Sequence, residues 1–340
     1  MQWSSLALIF MKYLVFFLFF NIVAGCNSKG TNSEDSLLQQ APYKSLTDSI
    51  ASEQSPAELY YKRGIVLLQN EQLVLAEADM KRAWQLKKDE QYALGLTAVL
   101  RKKKGDEAIS FIQEATQQLP QSIALKIGLA RAYQQRGEPD KAIQVCNAII
   151  IKHPNQLDAL GLKSELLTAQ NKGAEALTTL ELAYSYAPFD AELAHTLAFA
   201  YAEGSNKKAL SLSDSLIKAD VQGMHPEPYY FKGVYYANTG SNKDALLFFD
   251  KAIQHDYNFL DAYMDKGNLL YKGKKYEAAL QTFNMATTVS PRFAEAYYWA
   301  GKAEEALGKK EEAKLNYQRA YGLDKSLDKA REAEAKMKEP

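Results

Sequence analysis

An all-α fold, built as a stack of short helical hairpins, follows from two patterns in the 340-residue sequence. The first is a run of alanines, Ala76, Ala108, Ala142, Ala176, Ala209, Ala245, Ala279 and Ala313, spaced 32, 34, 34, 33, 36, 34 and 34 residues apart. The second is a fixed set of neighbours around each alanine. Twelve residues before comes a small residue in six units, Gly64, Ala130, Ser164, Gly233, Gly267 and Gly301; Ala198 stands eleven before, and Leu96 is the exception. Four after comes a bulky side chain such as Met80, Phe249, Phe283 or Tyr317. Seven after come Ala83, Ala115, Ile149, Ala183, Leu216, Ala252, Ala286 and Ala320. A repeat of this period is one supersecondary unit that cannot bury its apolar face alone, so neighbours must stack.

Each unit predicts two amphipathic helices joined near a Gly or Asn, namely Gly137, Asn171, Gly240 and Gly308, with the small positions where helix axes approach closely. Pro120, Pro154, Pro188 and Pro291 close four of the units. The clearest unit runs Ala294-Glu295-Ala296-Tyr297-Tyr298-Trp299-Ala300-Gly301, then Gly308, Ala313, Tyr317 and Ala320. This resembles the tetratricopeptide repeat (TPR), and the resemblance implies a right-handed α-solenoid that binds other proteins. Eight units span 57–88, 89–122, 123–156, 157–190, 191–225, 226–259, 260–293 and 294–327, followed by a solvating end helix over 328–340 with alternating charges that caps the stack. The fifth unit fits worst. Ala209 arrives one residue early, Ser213 takes the bulky position, and the connection from Asp220 to Pro228 is long and contains Gly and Pro. A soft hinge or change of curvature is expected across 205–228.

The first 25 residues form a processing signal. A start at Met11 makes Lys12 the positive region and Tyr13 to Val23 an apolar stretch too short to span a bilayer; a lysine in mid-stretch fits a start at Met1 poorly. Val23-Ala24-Gly25-Cys26 resembles a bacterial lipobox, which implies lipid on the Cys26 thiol and a membrane-anchored lipoprotein. An uncleaved membrane anchor is the alternative. Each buried CH₂ contributes about 0.8 kcal/mol, so two or more chains hold firmly. Asn27, where an Asp commonly signals inner-membrane retention in lipoproteins, leans towards the outer membrane, with the periplasm the expected side. Residues 26–56 hold the lipidated cysteine and a polar, flexible tether with one short helix around Ser45–Ser52, where Leu46 and Ile50 share a face. As a coil the tether reaches about 30 Å.

Equal numbers of Lys+Arg and Asp+Glu, 41 each, argue against a nucleic-acid partner. No phosphate loop, His-Glu-x-x-His, Cys-x-x-Cys or Gly-x-Ser-x-Gly occurs, so no enzyme activity, cofactor or metal is expected. Cys146 occupies a bulky core position and is expected to be a small buried hydrophobe. His153, His195, His225 and His255 lie far apart, and none pairs with a second ligand at helical spacing. The run Arg101-Lys102-Lys103-Lys104 is expected to be a solvated helix end. Glu58, Glu90, Asp158, Glu192, Glu227, Asp261 and Glu295 recur in the first turn of seven units, where they offset the helix dipole.

The resemblance implies a concave wall built from the first helix of each unit, at its second, fifth, ninth, twelfth and thirteenth positions. Those positions hold Tyr61, Ile65, Arg131, Glu165, His195 and Phe199 in the first five units, and Tyr230, Val234, Asn238, Met264, Asn268, Tyr271, Tyr298 and Lys302 in the last three. Clustered tyrosines suit a surface that grips a peptide or protein. The family's carboxylate clamp, Lys at the fifth position and Asn at the ninth, is missing: the pairs here are Tyr61/Ile65, Met264/Asn268 and Tyr298/Lys302. The expected function is therefore a membrane-anchored scaffold or adaptor of the cell envelope. A glycan-binding groove using Tyr230, Tyr271, Tyr298 and Trp299 is the alternative.

Overall fold

The computed structural model describes residues 36–52, 57–103 and 107–337. Every regular element among them is a helix, and the chain divides into two compact units, one ending at Pro154 and one beginning at Asn155. The signal segment, Cys26 and the start of the tether lie outside the described residues.

The first unit contains α1 (Lys44–Ser52), α2 (Ala57–Gln69), α3 (Leu73–Leu86), α4 (Glu90–Lys102), α5 (Glu107–Gln118), α6 (Ile123–Gln135) and α7 (Pro139–Lys152). From α2 onward these are three helical hairpins, each helix packed on the next. Ser122 and Asp89 accept backbone N–H bonds at helix starts, from Leu125 at 3.0 Å and Gln91 at 3.0 Å. The short helix expected in the tether exists as α1, but its surroundings differ from a flexible spacer. Tyr43 is buried in the same apolar cluster as Leu67 and Met80, with Leu37 and Leu38 packed against it. Arg63 forms a two-pronged pair with Asp79 at 2.7 and 2.8 Å, both side chains buried, and donates a third bond to Thr47 Oγ at 3.0 Å. Residues 36–52 thus cover the start of the first hairpin, so only the part before them remains for a tether.

The second unit contains α8 (Leu157–Ala169), α9 (Gly173–Tyr186), α10 (Ala191–Glu203), α11 (Lys208–Ala219), α12 (Glu227–Asn238), α13 (Asn242–His255), α14 (Leu260–Lys272), α15 (Tyr276–Val289), α16 (Ala294–Ala306), α17 (Lys310–Leu323) and α18 (Asp328–Lys336). Repeats four to eight are the five hairpins, and α18 closes the last with Ala330 fully buried. All eight recurring alanines are no more than 3% exposed. Small and bulky positions meet as the spacing requires. A methyl group added to Gly267 would sit 2.4 Å from the Phe283 ring, and one on Gly233 would sit 2.5 Å from Phe249. Only a residue without a side chain lets those rings lie flat against the helix.

Among the described residues, the turns within seven of the hairpins share one device. Glu71, Gly137, Asn171, Ser205, Gly240, Lys274 and Gly308 all take positive φ between 55° and 80°, the left-handed end of a helix. In six hairpins the recurring alanine comes five residues later and donates its N–H four residues back, as Ala279 does to Lys275 O. In the fifth it comes only four residues after Ser205. The chain absorbs the deletion by tightening, with Ala209 and Leu210 donating three residues back to Asn206 and Lys207.

The hinge expected at 205–228 is not where the chain divides. One apolar cluster runs from Ala194 and Tyr201 through Leu216 to Phe231 and Phe249, so packing continues across the connection.

Candidate functional site

The first helices α10, α12, α14 and α16 carry the wall positions of the last four repeats, and a cleft of about 510 Å³ opens among them. Its lining includes Glu203 from α10, Val234 and Asn238 from α12, Asp265, Asn268 and Lys272 from α14, and Trp299 from α16. Stacking of hairpins sets these residues one repeat apart, which is why groups distant in sequence converge here.

The cleft is polar and under-satisfied. Asp265 accepts the Tyr230 hydroxyl at 2.8 Å, and burial, helped by the charge of Asp261, raises its pKa above the usual carboxylate value despite that bond. Much of Glu203 is open to solvent, yet protein packed around its carboxyl, and then Asp265, raise its pKa as well. Burial likewise pushes Tyr230 upward, with Asp265 adding to it. Asn238 donates to the carbonyls of Ala202 at 3.2 Å and Glu203 at 3.4 Å, tying the end of α10 to α12. Asn268 is different. Its Oδ1 is buried and meets no donor, an amide acceptor left open in the cleft.

Of the wall residues expected from sequence, the cleft gathers Val234, Asn238 and Asn268. Two pack mainly into the apolar clusters between hairpins: Val234, at the floor of the cleft, is 4% exposed and Met264 is 8% exposed. Tyr230 is half-buried, stacked on Phe199 with ring centres 6.3 Å apart and edge-on to Phe259 at 5.2 Å. Tyr271 and Tyr298 both pack edge-on to Trp299, at 5.7 and 5.6 Å, and Tyr298 also lies beside Tyr317 and beneath the Lys329 ammonium. Lys302 pairs with Glu305 at 3.0 Å. These aromatics are chiefly packing between repeats, not a row of free anchors. In the first unit Tyr61 packs on Tyr92 at 5.1 Å, Ile65 joins the apolar cluster of the first hairpins, and Arg131 is exposed. Glu165 is exposed on α8.

Glu203 and Lys272 stand at the thirteenth position of their units, a wall position already named for Asn238, so their place was readable. Asp265 and Trp299 stand at the sixth, outside the family's wall set; Trp299 was marked only as an aromatic of the glycan-binding alternative, and no sequence signal marked Asp265.

Within the basic run Lys102 pairs with Glu71, Lys103 pairs with Glu77, and Arg101 donates to Gln135 at 2.8 Å, while Lys104 lies outside the described residues. Each of the seven recurring acids sits in the first turn of its helix. Cys146 is fully buried. Though far apart in sequence, His195 and His225 are neighbours in space, with ring centres 5.8 Å apart and Glu227 beside them. The connection after the fifth repeat folds back to α10, which linear spacing could not show.

Family models for the tetratricopeptide repeat match residues 99–166 and 294–327, and a TPR repeat model matches 267–308. The match over 294–327 spans the eighth hairpin, and the other two begin within helices α4 and α14. The chain is a tetratricopeptide-repeat protein. Its fold is similar to that of a tetratricopeptide repeat protein from Parabacteroides merdae ATCC 43184, at 17% identity and TM-score 0.55, covering 84% of this chain and 99% of that one. MamA from Desulfovibrio magneticus RS-1 aligns at 27% identity and TM-score 0.37, over 43% of this chain and 82% of that one. PilW, described as a type IV pilus biogenesis factor, aligns at 15% identity and TM-score 0.48, over 58% and 92%. No curated protein matches the sequence.

Proposed function

We propose that this TPR protein is a non-enzymatic scaffold that recruits a protein partner through the cleft of its second compact unit. The repeat fold supports an interaction role, and Asn268 carries the choice of site. A buried amide oxygen without a donor is a defect of about 1–3 kcal/mol that an incoming N–H removes. Glu203 and Asp265, both poorly solvated when ionised, favour a ligand bringing N–H donors or a cation, so an extended peptide segment with a basic side chain fits. Trp299 supplies an apolar face beside them.

In this reading Cys26 bears the lipid, residues before 36 tether the body, and the protein sits on the outer membrane facing the periplasm. Val23-Ala24-Gly25-Cys26 and the following Asn27 support that reading. Among the described residues no helix is long and apolar enough to cross a membrane. Mass spectrometry of the mature N-terminal peptide should find acyl mass on Cys26; an unmodified cysteine contradicts the anchor.

The groove is tested by recovery of partners from cells of the producing organism, with wild-type protein and Asn268→Ala compared at equal helicity. Losing one hydrogen bond should weaken capture about tenfold, from 1–1.5 kcal/mol. Undiminished capture moves the site elsewhere. If neutral oligosaccharides quench the fluorescence of Trp299 and raise the melting temperature, the glycan alternative replaces this reading.

A further inference from the structure

The connection from Asp220 to Pro228 is a built loop, not slack chain. Asp220 Oδ2 accepts the backbone N–H of His225 at 2.7 Å, and Gly223 donates to Asp220 O at 3.1 Å. Gly223 takes φ +64°, a conformation for which glycine is suited, and its carbonyl accepts from His255 Nδ1 at 3.0 Å. The His255 ring in turn stacks on Tyr229, with centres 4.2 Å apart. These contacts deliver His225 to the face of α10 that carries His195.

His195 is oriented for a role its own helix does not explain. Its Nδ1 lies 2.7 Å from the carbonyl oxygen of Ala191, a group that only accepts, so Nδ1 carries the proton and Nε2 presents a lone pair. That Nε2 is buried and has no hydrogen-bond partner. Glu227 Oε2 is also buried without a hydrogen bond, 3.7 Å from His225 Nδ1. One ligand atom from each of His195, His225 and Glu227 lies within 4.8 Å of the other two. Two acceptors and an imidazole thus converge on one point.

We propose that His195, His225 and Glu227 bind a divalent transition-metal ion, with zinc the fitting one. Two imidazoles and a carboxylate form a nitrogen and oxygen set suited to that class, and the bond from His195 Nδ1–H to a carbonyl is the outer contact that metal-bound histidines use to fix their tautomer. Zinc holds such ligands at about 2.0–2.2 Å, so neighbouring ligand atoms should close to roughly 3.5 Å. The loop can supply that movement, since the His225 side chain is 57% exposed while His195 and Glu227 are set on helices. Three protein ligands leave a fourth position for water or a partner's side chain. The ion would clasp the connection to α10 and so hold the wall around His195 and Phe199 in one arrangement.

The test is calorimetric titration of chelator-treated, full-length protein with zinc chloride, together with thermal unfolding. One ion per chain and a rise in melting temperature are expected. Both should be lost in His225→Ala, whose site is an exposed loop, and in His195→Gln. Cobalt in place of zinc should give visible absorption that His225→Ala abolishes. Absence of saturable binding by the wild type, or binding that survives in a folded His225→Ala protein, overturns the proposal.

Discussion

The fifth repeat and the seventh are the same hairpin built to different tolerances. In the seventh, Phe283 fills the space above Gly267, and both are fully buried or nearly so. In the fifth, the corresponding pair is Ala198 and Ser213, and the Ser213 hydroxyl is buried with no hydrogen bond. The fifth also lacks a residue in its turn and has a second helix of 12 residues where the seventh has 14. Aromatic packing makes the seventh hairpin steric and exact in register, whereas the fifth places the unbonded Ser213 hydroxyl where the seventh has a ring. That is the kind of place where a TPR protein can carry specific chemistry, because the atoms not used by the fold remain available to a ligand.

Breaking the contrast at its strong end should have the largest effect. Phe283→Ala should destabilise by about 3–5 kcal/mol through loss of a buried ring and the cavity left behind, read as a fall in the denaturant midpoint. An effect below about 1 kcal/mol would mean the hairpins are not held by this pair. Gly267→Ala should cost about 1–3 kcal/mol, since the added methyl meets the Phe283 ring. At the weak end the sign reverses. Ser213→Ala removes a buried, unbonded hydroxyl and should leave stability unchanged or raise it by about 1 kcal/mol in the same denaturation experiment. A loss comparable to that of Gly267→Ala would erase the distinction between the two repeats. A subtler check uses the turns: Lys274→Gly at φ 58° should stabilise by about 1 kcal/mol, because glycine takes the left-handed conformation without strain.

The repeat was legible because its contacts are periodic. Gly267 and Phe283 lie at a fixed separation that returns in Gly233 and Phe249, so one rule in the sequence marks many buried pairs. Turn residues were legible only where chemistry agreed with conformation: Gly137, Asn171, Gly240 and Gly308 announced left-handed turns, while Glu71, Ser205 and Lys274 adopt them silently. Residues 36–52 looked like spacer because they are polar, yet Thr47 reaches Arg63 and Tyr43 is buried; such docking depends on single pairings, which composition cannot register. The cleft was half legible. Asn238 and Asn268 followed from wall positions, but Glu203 meets Asp265 only through the stacking of different repeats, and His195 meets His225 only through a folded connection. Tyrosine count misled in the other direction, since Tyr230, Tyr271 and Tyr298 are largely occupied by neighbouring rings.

The proposal that the second unit recruits a protein through its cleft is tested most directly by site-specific photocrosslinking in living cells. A photoreactive residue replaces Lys272, which lines the cleft, or Glu311, which lies exposed on the second helix of the eighth repeat. A discrete crosslinked protein from position 272, weakened by Asn268→Ala and missing from position 311, is the expected result. Equal crosslinking from both positions, or none from 272 while 311 captures a partner, would contradict it.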